Sequence, residues 1–139
     1  AWARRIRLLR RTAVGESSED KLTDAMTAAA WRAATEMGVA AIICISDSGF
    51  TVRSTARFRP SMPIIAFSPD DRTLRQLSIS WGTVTLRAPN RVDTLALMDD
   101  LVVQARDAGL VQPGETVAVL AGVGSRSRST DVLRLARVP

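Results

Sequence analysis

Short apolar runs alternate with helix-compatible segments along the chain, and this alternation limits the folds that it can adopt. Four runs are apolar enough to be strands with both faces buried: residues 40–45, 63–67, 84–86 and 116–121. Strands of this kind are typical of a parallel sheet that carries helices on both faces. The pattern therefore predicts an α/β protein with three layers, α/β/α.

The segments between these runs have helical patterns with recognisable ends. Thr23 is predicted to cap the first helix, and Pro69 to occupy the first helical position of the third. Gly38 and Gly109 follow the ends of the first and last helices, where glycine is common. The predicted helices span residues 23–37, 52–58, 69–77 and 92–108.

A fifth strand is predicted at residues 132–138, where apolar and charged residues alternate as in a strand with one wet face. Only about ten residues without a helical pattern precede it, so it should run antiparallel at an edge. A doubly wound sheet of five strands then has the order 3-2-1-4-5. Its switch point lies between strands 1 and 4, where open α/β sheets bind ligands beyond the carboxyl ends of the strands.

One candidate binding site at this point is the loop after the first strand. It contains Ser46, Ser48, Gly49 and Thr51 and leads into a helix. Hydroxyls, a glycine and the N–H groups of a helix N-terminus together favour a phosphate. The same residues also make an ordinary strand-to-helix turn whose hydroxyls cap the helix, and that interpretation stays open.

A second candidate is the loop at residues 122–129, which is predicted to meet the first loop. Arg126 and Arg128 can supply charge-assisted hydrogen bonds to the oxygens of a phosphorylated ligand. A solvated hairpin loop has a similar composition, so both interpretations remain. The loop is not a Walker loop, because the Gly-Lys-Ser/Thr step is absent.

The chain contains no histidine, which excludes Ser-His-Asp and Cys-His catalysis and histidine-ligated metals. Cys44, the single cysteine, lies in the most apolar run and is predicted to be a small buried hydrophobic residue. A phosphoacceptor receiver domain is also excluded, because it needs a lysine after the fifth strand and Lys21 comes too early. We therefore expect no catalytic residues in this chain.

The net charge of +5 does not indicate nucleic-acid binding. Five arginines within residues 1–11 account for it, since the other 14 basic residues balance the 14 acidic ones. A nucleic-acid module usually carries a basic, aromatic-rich face on its folded part. No stretch approaches the roughly 20 apolar residues of a membrane helix, so we expect no membrane partner and a cytoplasmic location.

An ordered set of motifs resembles the C-terminal domain of pyruvate kinase over about residues 20–139. The motifs are Asp24-Ala25, Ala41-Ile42-Ile43, Ser46-x-Ser48-Gly49-x-Thr51-Val52-Arg53, Arg57-Phe58-Arg59-Pro60, Pro63-Ile64-Ile65-Ala66-Phe67, Arg75-Gln76-Leu77, Trp81-Gly82, Gly114-x-x-Val117 and Ala121-Gly122. The resemblance implies the α/β/α fold with an antiparallel last strand.

The resemblance also implies a role. In the family this domain binds allosteric effectors, commonly sugar phosphates or nucleotides, and forms one interface of the tetramer. The resemblance assigns effector binding to the loop with Ser46, Ser48, Gly49 and Thr51. It implies that the loop at residues 122–129 closes over the bound effector. Residues 1–20 become a basic connector from the catalytic barrel, and residues 21–139 the domain. The family's Mg and K ions belong to the full enzyme, so we expect no cofactor here and no activity of the chain alone.

Features of the chain narrow the expected effector. The Trp and Arg that hold a second phosphate in fructose-bisphosphate-regulated members have no match around residues 88–95, which favours a sugar monophosphate or a nucleotide. Asp47 within the loop opposes anion binding by charge repulsion. The alternatives are therefore a stand-alone module for a phosphorylated ligand, or a purely structural dimerisation domain without an effector.

Overall fold

A computed structural model describes residues 18–89, 94–121 and 132–139, and within them strands and helices alternate. In chain order the elements are α1 (Ser18–Met37), β1 (Ile42–Ile45), α2 (Phe50–Ala56), β2 (Ile64–Ser68), α3 (Asp71–Leu77), β3 (Thr83–Arg87), α4 (Thr94–Asp107), β4 (Thr116–Ala121) and β5 (Val132–Arg137).

The five strands form one sheet in the order β3-β2-β1-β4-β5, which confirms the predicted topology. β1 pairs in parallel with β2 and with β4, and β2 pairs in parallel with β3. β5 pairs antiparallel with β4, from Thr116 opposite Arg137 to Ala121 opposite Val132. The carboxyl ends of β1, β2, β3 and β4 consequently meet at one edge of the sheet.

Helices cover both faces of the sheet, as the apolar strands require. On one face, α4 packs through Met98, Leu101 and Val102 against a cluster that includes Ile43 of the central strand. On the other face, the cluster around Ile42 includes side chains of three helices: Ala30 and Ala34 of α1, Val52 of α2 and Leu77 of α3. Neighbouring residues of β1 therefore enter opposite layers of the core.

Two predictions about helix starts were wrong. α1 begins at Ser18, so Thr23 is a buried residue inside the helix and not its cap. Pro69 precedes α3, because the Asp70 side chain accepts a hydrogen bond from the Arg72 N–H at 2.8 Å and caps the helix.

Other ends differ by a few residues. α2 occupies Phe50–Ala56 where residues 52–58 were predicted, because Gly49 takes the N-cap position. Gly38 ends α1 as predicted, with a φ of 61° that glycine adopts without strain, and the Val39 N–H bonds the Ala34 carbonyl at 3.2 Å.

α1 is also tied to the end of α2. The Arg57 guanidinium lies 2.5 Å from an Asp24 carboxylate oxygen. The rings of Trp31 and Phe58 stack with their centroids 5.3 Å apart, and Phe58 is completely buried. These contacts fix the position of α2 relative to α1, and α2 begins at the predicted effector loop.

Part of the predicted connector lies in α1, since Ser18, Glu19 and Asp20 are helical, while residues 1–17 lie outside the described residues. The assignment of residues 1–20 as a connector stays a prediction. Within the described ranges, no helix has the length and apolar character needed to cross a membrane.

Cys44 is buried in β1, and burial raises the pKa of its thiol from 9.0 to about 12 despite the opposing contact with the Thr55 hydroxyl. In the unfolded chain the thiol ionises above pH 9, whereas in the folded chain it keeps its proton until about pH 12. The contribution of the protonated Cys44 thiol to the free energy of unfolding is thus fully present below pH 9 and is lost as the pH rises toward 12.

We predict that the free energy of unfolding falls by about 1 kcal/mol more in the wild type than in Cys44→Ala between pH 8 and pH 10. Urea denaturation at the two pH values measures this difference, and the variant's own loss of stability cancels because each chain is compared with itself. Equal pH dependence in the two chains would contradict the shift.

Candidate functional site

The predicted effector loop connects β1 to α2 at the carboxyl edge of the sheet. β1 has β2 on one side and β4 on the other, so the loop leaves the sheet at the switch point. The Ser46 N–H donates to the Phe67 carbonyl at 2.9 Å, which extends the β1–β2 pairing up to the first loop residue. The first loop residue therefore continues the hydrogen bonding of the strand.

Ser46 holds the loop closed. Its hydroxyl accepts a hydrogen bond from the Gly49 N–H at 2.8 Å, and the residue is buried. A hydroxyl used in this way forms a local turn, as the alternative interpretation of the sequence expected. The hydroxyl cap that the same interpretation expected is not made at the N-cap of α2, because that residue is Gly49, which has no side chain. Ser46 therefore shapes the loop, and its side-chain oxygen is already engaged.

Gly49 occupies a position that only glycine fits. It is the N-cap of α2 with a φ of 83°, in the left-handed region. A Cβ atom built on it would lie 2.7 Å from Nη1 of Arg53 and 3.0 Å from Cδ2 of Leu77. The loop backbone consequently lies directly against side chains of α2 and α3.

Ser48 combines two features of a binding residue. Its hydroxyl oxygen is shielded from solvent and has no hydrogen-bond partner among the described residues. Its carbonyl accepts a hydrogen bond from Nη1 of Arg53 at 3.2 Å. A buried hydroxyl without a partner is costly, so it indicates a position where a partner can bind.

Thr51 lies in the first turn of α2 and is buried. Its carbonyl accepts a hydrogen bond from the Thr55 hydroxyl at 2.9 Å, within the helix. Ser46, Ser48, Gly49 and Thr51 thus come together within one loop and the first helical turn that follows it. Arg126, Arg128 and the loop at residues 122–129 lie outside the described residues.

Two residues at the loop were not selected from the sequence. Arg53 brings a guanidinium to the loop, because it stands one helical turn after Gly49. Thr73 of α3 donates from its hydroxyl to the Asp47 carbonyl at 2.7 Å. The spacing from Gly49 could have indicated Arg53, but the Thr73 contact joins residues 26 positions apart and has no local signal.

The groups at this loop are of the kind that binds an oxyanion. They include a hydroxyl without a partner among the described residues, a glycine at a helix start and the exposed guanidinium of Arg53. The exposed Asp47 places a negative charge in the same loop. Across the ranges that the structure describes, no three Cys, Asp or Glu side chains are grouped closely enough to hold a metal ion.

Comparisons with known proteins agree on one family. The model of the family "Pyruvate kinase, alpha/beta domain" matches residues 24–136. A pyruvate kinase of Clostridium acetobutylicum is 33% identical over 122 residues, which are 86% of this chain and 26% of the relative. One of Staphylococcus epidermidis is 32% identical over 112 residues, 81% of this chain and 19% of the relative.

A solved structure shows the same fold. The crystal structure of a pyruvate kinase from Cryptosporidium parvum has a TM-score of 0.79 and 20% sequence identity, and the match covers 99% of this chain and 26% of that chain. The chain thus spans between about a fifth and about a quarter of the length of these relatives.

Gly49→Ala is predicted to destabilise the chain by about 2–3 kcal/mol, because it adds a positive-φ cost to a clash with the buried Leu77. Gly38→Ala is the matched control. It has a φ of 61° but nothing within 4 Å of the added Cβ, so only the conformational cost of about 1 kcal/mol applies. Urea denaturation compares the two, and equal losses would contradict the close approach at Gly49.

Proposed function

Because the chain belongs to the family of pyruvate kinase α/β domains, we propose that it is the regulatory and oligomerisation domain of a pyruvate kinase. The phosphoryl transfer from phosphoenolpyruvate to ADP is then the work of the rest of that enzyme, since the chain corresponds to only 26% of the Clostridium acetobutylicum relative. The role proposed for this chain is to bind a phosphorylated effector and another subunit.

The effector is proposed to bind at the loop after β1, and the Ser48 hydroxyl is the observation that carries this proposal. It is buried, it lacks a partner among the described residues, and it belongs to the residue before the glycine N-cap of α2. A phosphate oxygen supplies the missing acceptor. Thr51 stands in the first turn of α2, where backbone N–H groups favour an anion.

Charge favours one phosphoryl group. Arg53 supplies one guanidinium beside the loop, and Arg126 and Arg128 are the predicted further contacts. The carboxylate of Asp47 opposes additional negative charge. A phosphomonoester, with a charge of about −1.5 to −2, is therefore the proposed effector class, as in a sugar monophosphate or a nucleoside monophosphate.

Calorimetric titration of the purified chain with AMP and glucose 6-phosphate is expected to show saturable binding to one of them. Ser48→Ala and Thr51→Ala should each weaken it by about tenfold, because a hydrogen bond to a charged group contributes about 1.5 kcal/mol. Fructose 1,6-bisphosphate should bind no more tightly than the monophosphate.

Ser78→Ala is the matched control for Ser48→Ala. The Ser78 hydroxyl bonds the Arg75 carbonyl at the far end of α3, so its loss should leave the dissociation constant unchanged. If Ser48→Ala and Ser78→Ala weaken effector binding equally, the loop after β1 is not the binding site. If the wild type binds none of the phosphorylated compounds, the structural alternative remains, which is a dimerisation domain without an effector.

The oligomer contact is proposed to form on α1 and on the free edge of β5. β5 stands at the edge of the sheet and pairs only with β4 within the described chain. A strand edge of this kind offers its unpaired backbone groups to a second chain. A second copy of this chain offers the same edge, which suits a two-fold interface.

Both β5 and α1 carry exposed apolar side chains. Leu135 of β5 is 41% exposed and lies opposite Ala118, which belongs to the core cluster beneath α1. Opposite residues of antiparallel strands share a face, so Leu135 is on the side of α1. α1 itself exposes Leu22 and Met37 by 38% and 61%. Burial of these side chains against a second subunit would stabilise the contact.

Leu135→Arg is expected to shift the chain toward the monomer in sedimentation equilibrium, because it places a charge within the proposed apolar contact. Val84→Arg is its control: Val84 is 39% exposed and lies on β3, the strand at the opposite edge. A dissociation constant that rises by about tenfold or more for Leu135→Arg alone supports the surface, at roughly 1.4 kcal/mol. If Val84→Arg alone raises the dissociation constant, the subunit contact lies at β3 instead.

A further inference from the structure

We propose that Thr73 is a positioning residue for the effector site. Its hydroxyl fixes the orientation of the peptide group between Asp47 and Ser48, so that the Ser48 N–H faces the bound phosphate. This inference rests on the proposed function and assigns to α3 a part in effector affinity. α3 belongs to the next β-α unit of the chain, beyond β2.

Thr73 is well placed for this role. It is 5% exposed, and its Oγ1 lies 2.7 Å from the Asp47 carbonyl oxygen. A buried hydroxyl costs free energy unless it is hydrogen-bonded, so the position favours threonine over an apolar residue only while this bond is made. The bond joins two segments that are 26 residues apart, so it is a product of the tertiary fold.

The geometry of the Asp47–Ser48 peptide group links the Thr73 hydrogen bond to the direction of the Ser48 N–H. The described chain contains no cis peptide bond, and in a trans peptide the C=O and the following N–H point in opposite directions. The Asp47 carbonyl points to Thr73 of α3. The Ser48 N–H therefore points away from α3.

The neighbouring groups of the loop have other supports. The Ser46 hydroxyl holds the Gly49 N–H, and the Arg53 guanidinium holds the Ser48 carbonyl. Within the described residues, Thr73 is the donor to the Asp47 carbonyl. Loss of its hydroxyl frees the Asp47–Ser48 peptide to rotate while the rest of the loop keeps its contacts.

α3 supports the loop at a second point, through packing. Leu77 is completely buried and its Cδ2 would lie 3.0 Å from a Cβ built on Gly49. Thr73 and Leu77 are four residues apart and thus lie on one face of α3. Because Leu77 keeps α3 against the loop, removal of the Thr73 hydroxyl is expected to alter the loop locally rather than separate the two elements.

The test compares Thr73→Val, which removes the hydroxyl, with Thr73→Ser, which retains it. Titration with AMP and glucose 6-phosphate is expected to give a dissociation constant about tenfold higher for Thr73→Val and within twofold of the wild type for Thr73→Ser. In the free chain, the Ser48 amide resonance should shift, and its hydrogen exchange should become faster, in Thr73→Val alone.

Thr27→Val is the matched control for a merely structural effect. Thr27 is also buried, and its hydroxyl donates to the Asp24 carbonyl at 3.1 Å within α1. It should lower the melting temperature without changing the Ser48 amide or the dissociation constant. A Thr73→Val chain that binds the effector like the wild type, or that keeps the Ser48 amide unchanged, overturns the proposal.

Failure of the proposed function gives a different result. If the unmodified chain binds neither compound, the effector site itself is refuted, and with it any role of Thr73 in binding. If the unmodified chain binds and Thr73→Val binds equally well, the site stands and only the positioning role is refuted.

Discussion

The parallel pairing of β1 with a strand on each side is the constraint on which the rest of this structure depends. Both backbone edges of β1 are bonded, to β2 and to β4, and its side chains alternate between two buried layers. The neighbouring strands bond the buried backbone groups of β1, and its apolar side chains need a layer of helices on each face of the sheet to be removed from water. The three-layer arrangement follows from that requirement.

The same pairing determines where the polar residues of the loop lie. Ser46 is bonded to Phe67 of the neighbouring strand, and the chain then turns through Gly49 into α2. Ser48, whose carbonyl accepts a hydrogen bond from the Arg53 guanidinium, consequently lies at the switch point between β1 and β4. Open α/β sheets bind ligands at such a switch point, and the effector site proposed for this chain lies there.

The two edges of the sheet differ in their surroundings. β5 is tied to α4 through Arg134 and Asp99, which are 2.8 Å apart, while its other face lies toward α1. β3 carries an ion pair between Arg87 and Asp71 at its carboxyl end, where α3 begins. The proposed subunit contact and the proposed effector site therefore lie on separate parts of one sheet. The Asp24–Arg57 pair joins α1 to the residue that follows α2.

Local patterns in the sequence were sufficient for the strand order, for the antiparallel last strand and for placing Ser46, Ser48, Gly49 and Thr51 in the connection from β1 to α2. They were sufficient because hydrophobic periodicity and the short β4–β5 connection depend on neighbouring residues. They misplaced the start of α1, because Thr23 resembles a cap while acidic residues further upstream also favour a helix start. Only the tertiary structure brought Thr73 to the Asp47 carbonyl and left the Ser48 hydroxyl buried without a partner among the described residues. Those contacts arise when β2 and α3 pack beside β1 and α2, and no local pattern encodes the distance between two units so far apart in the chain.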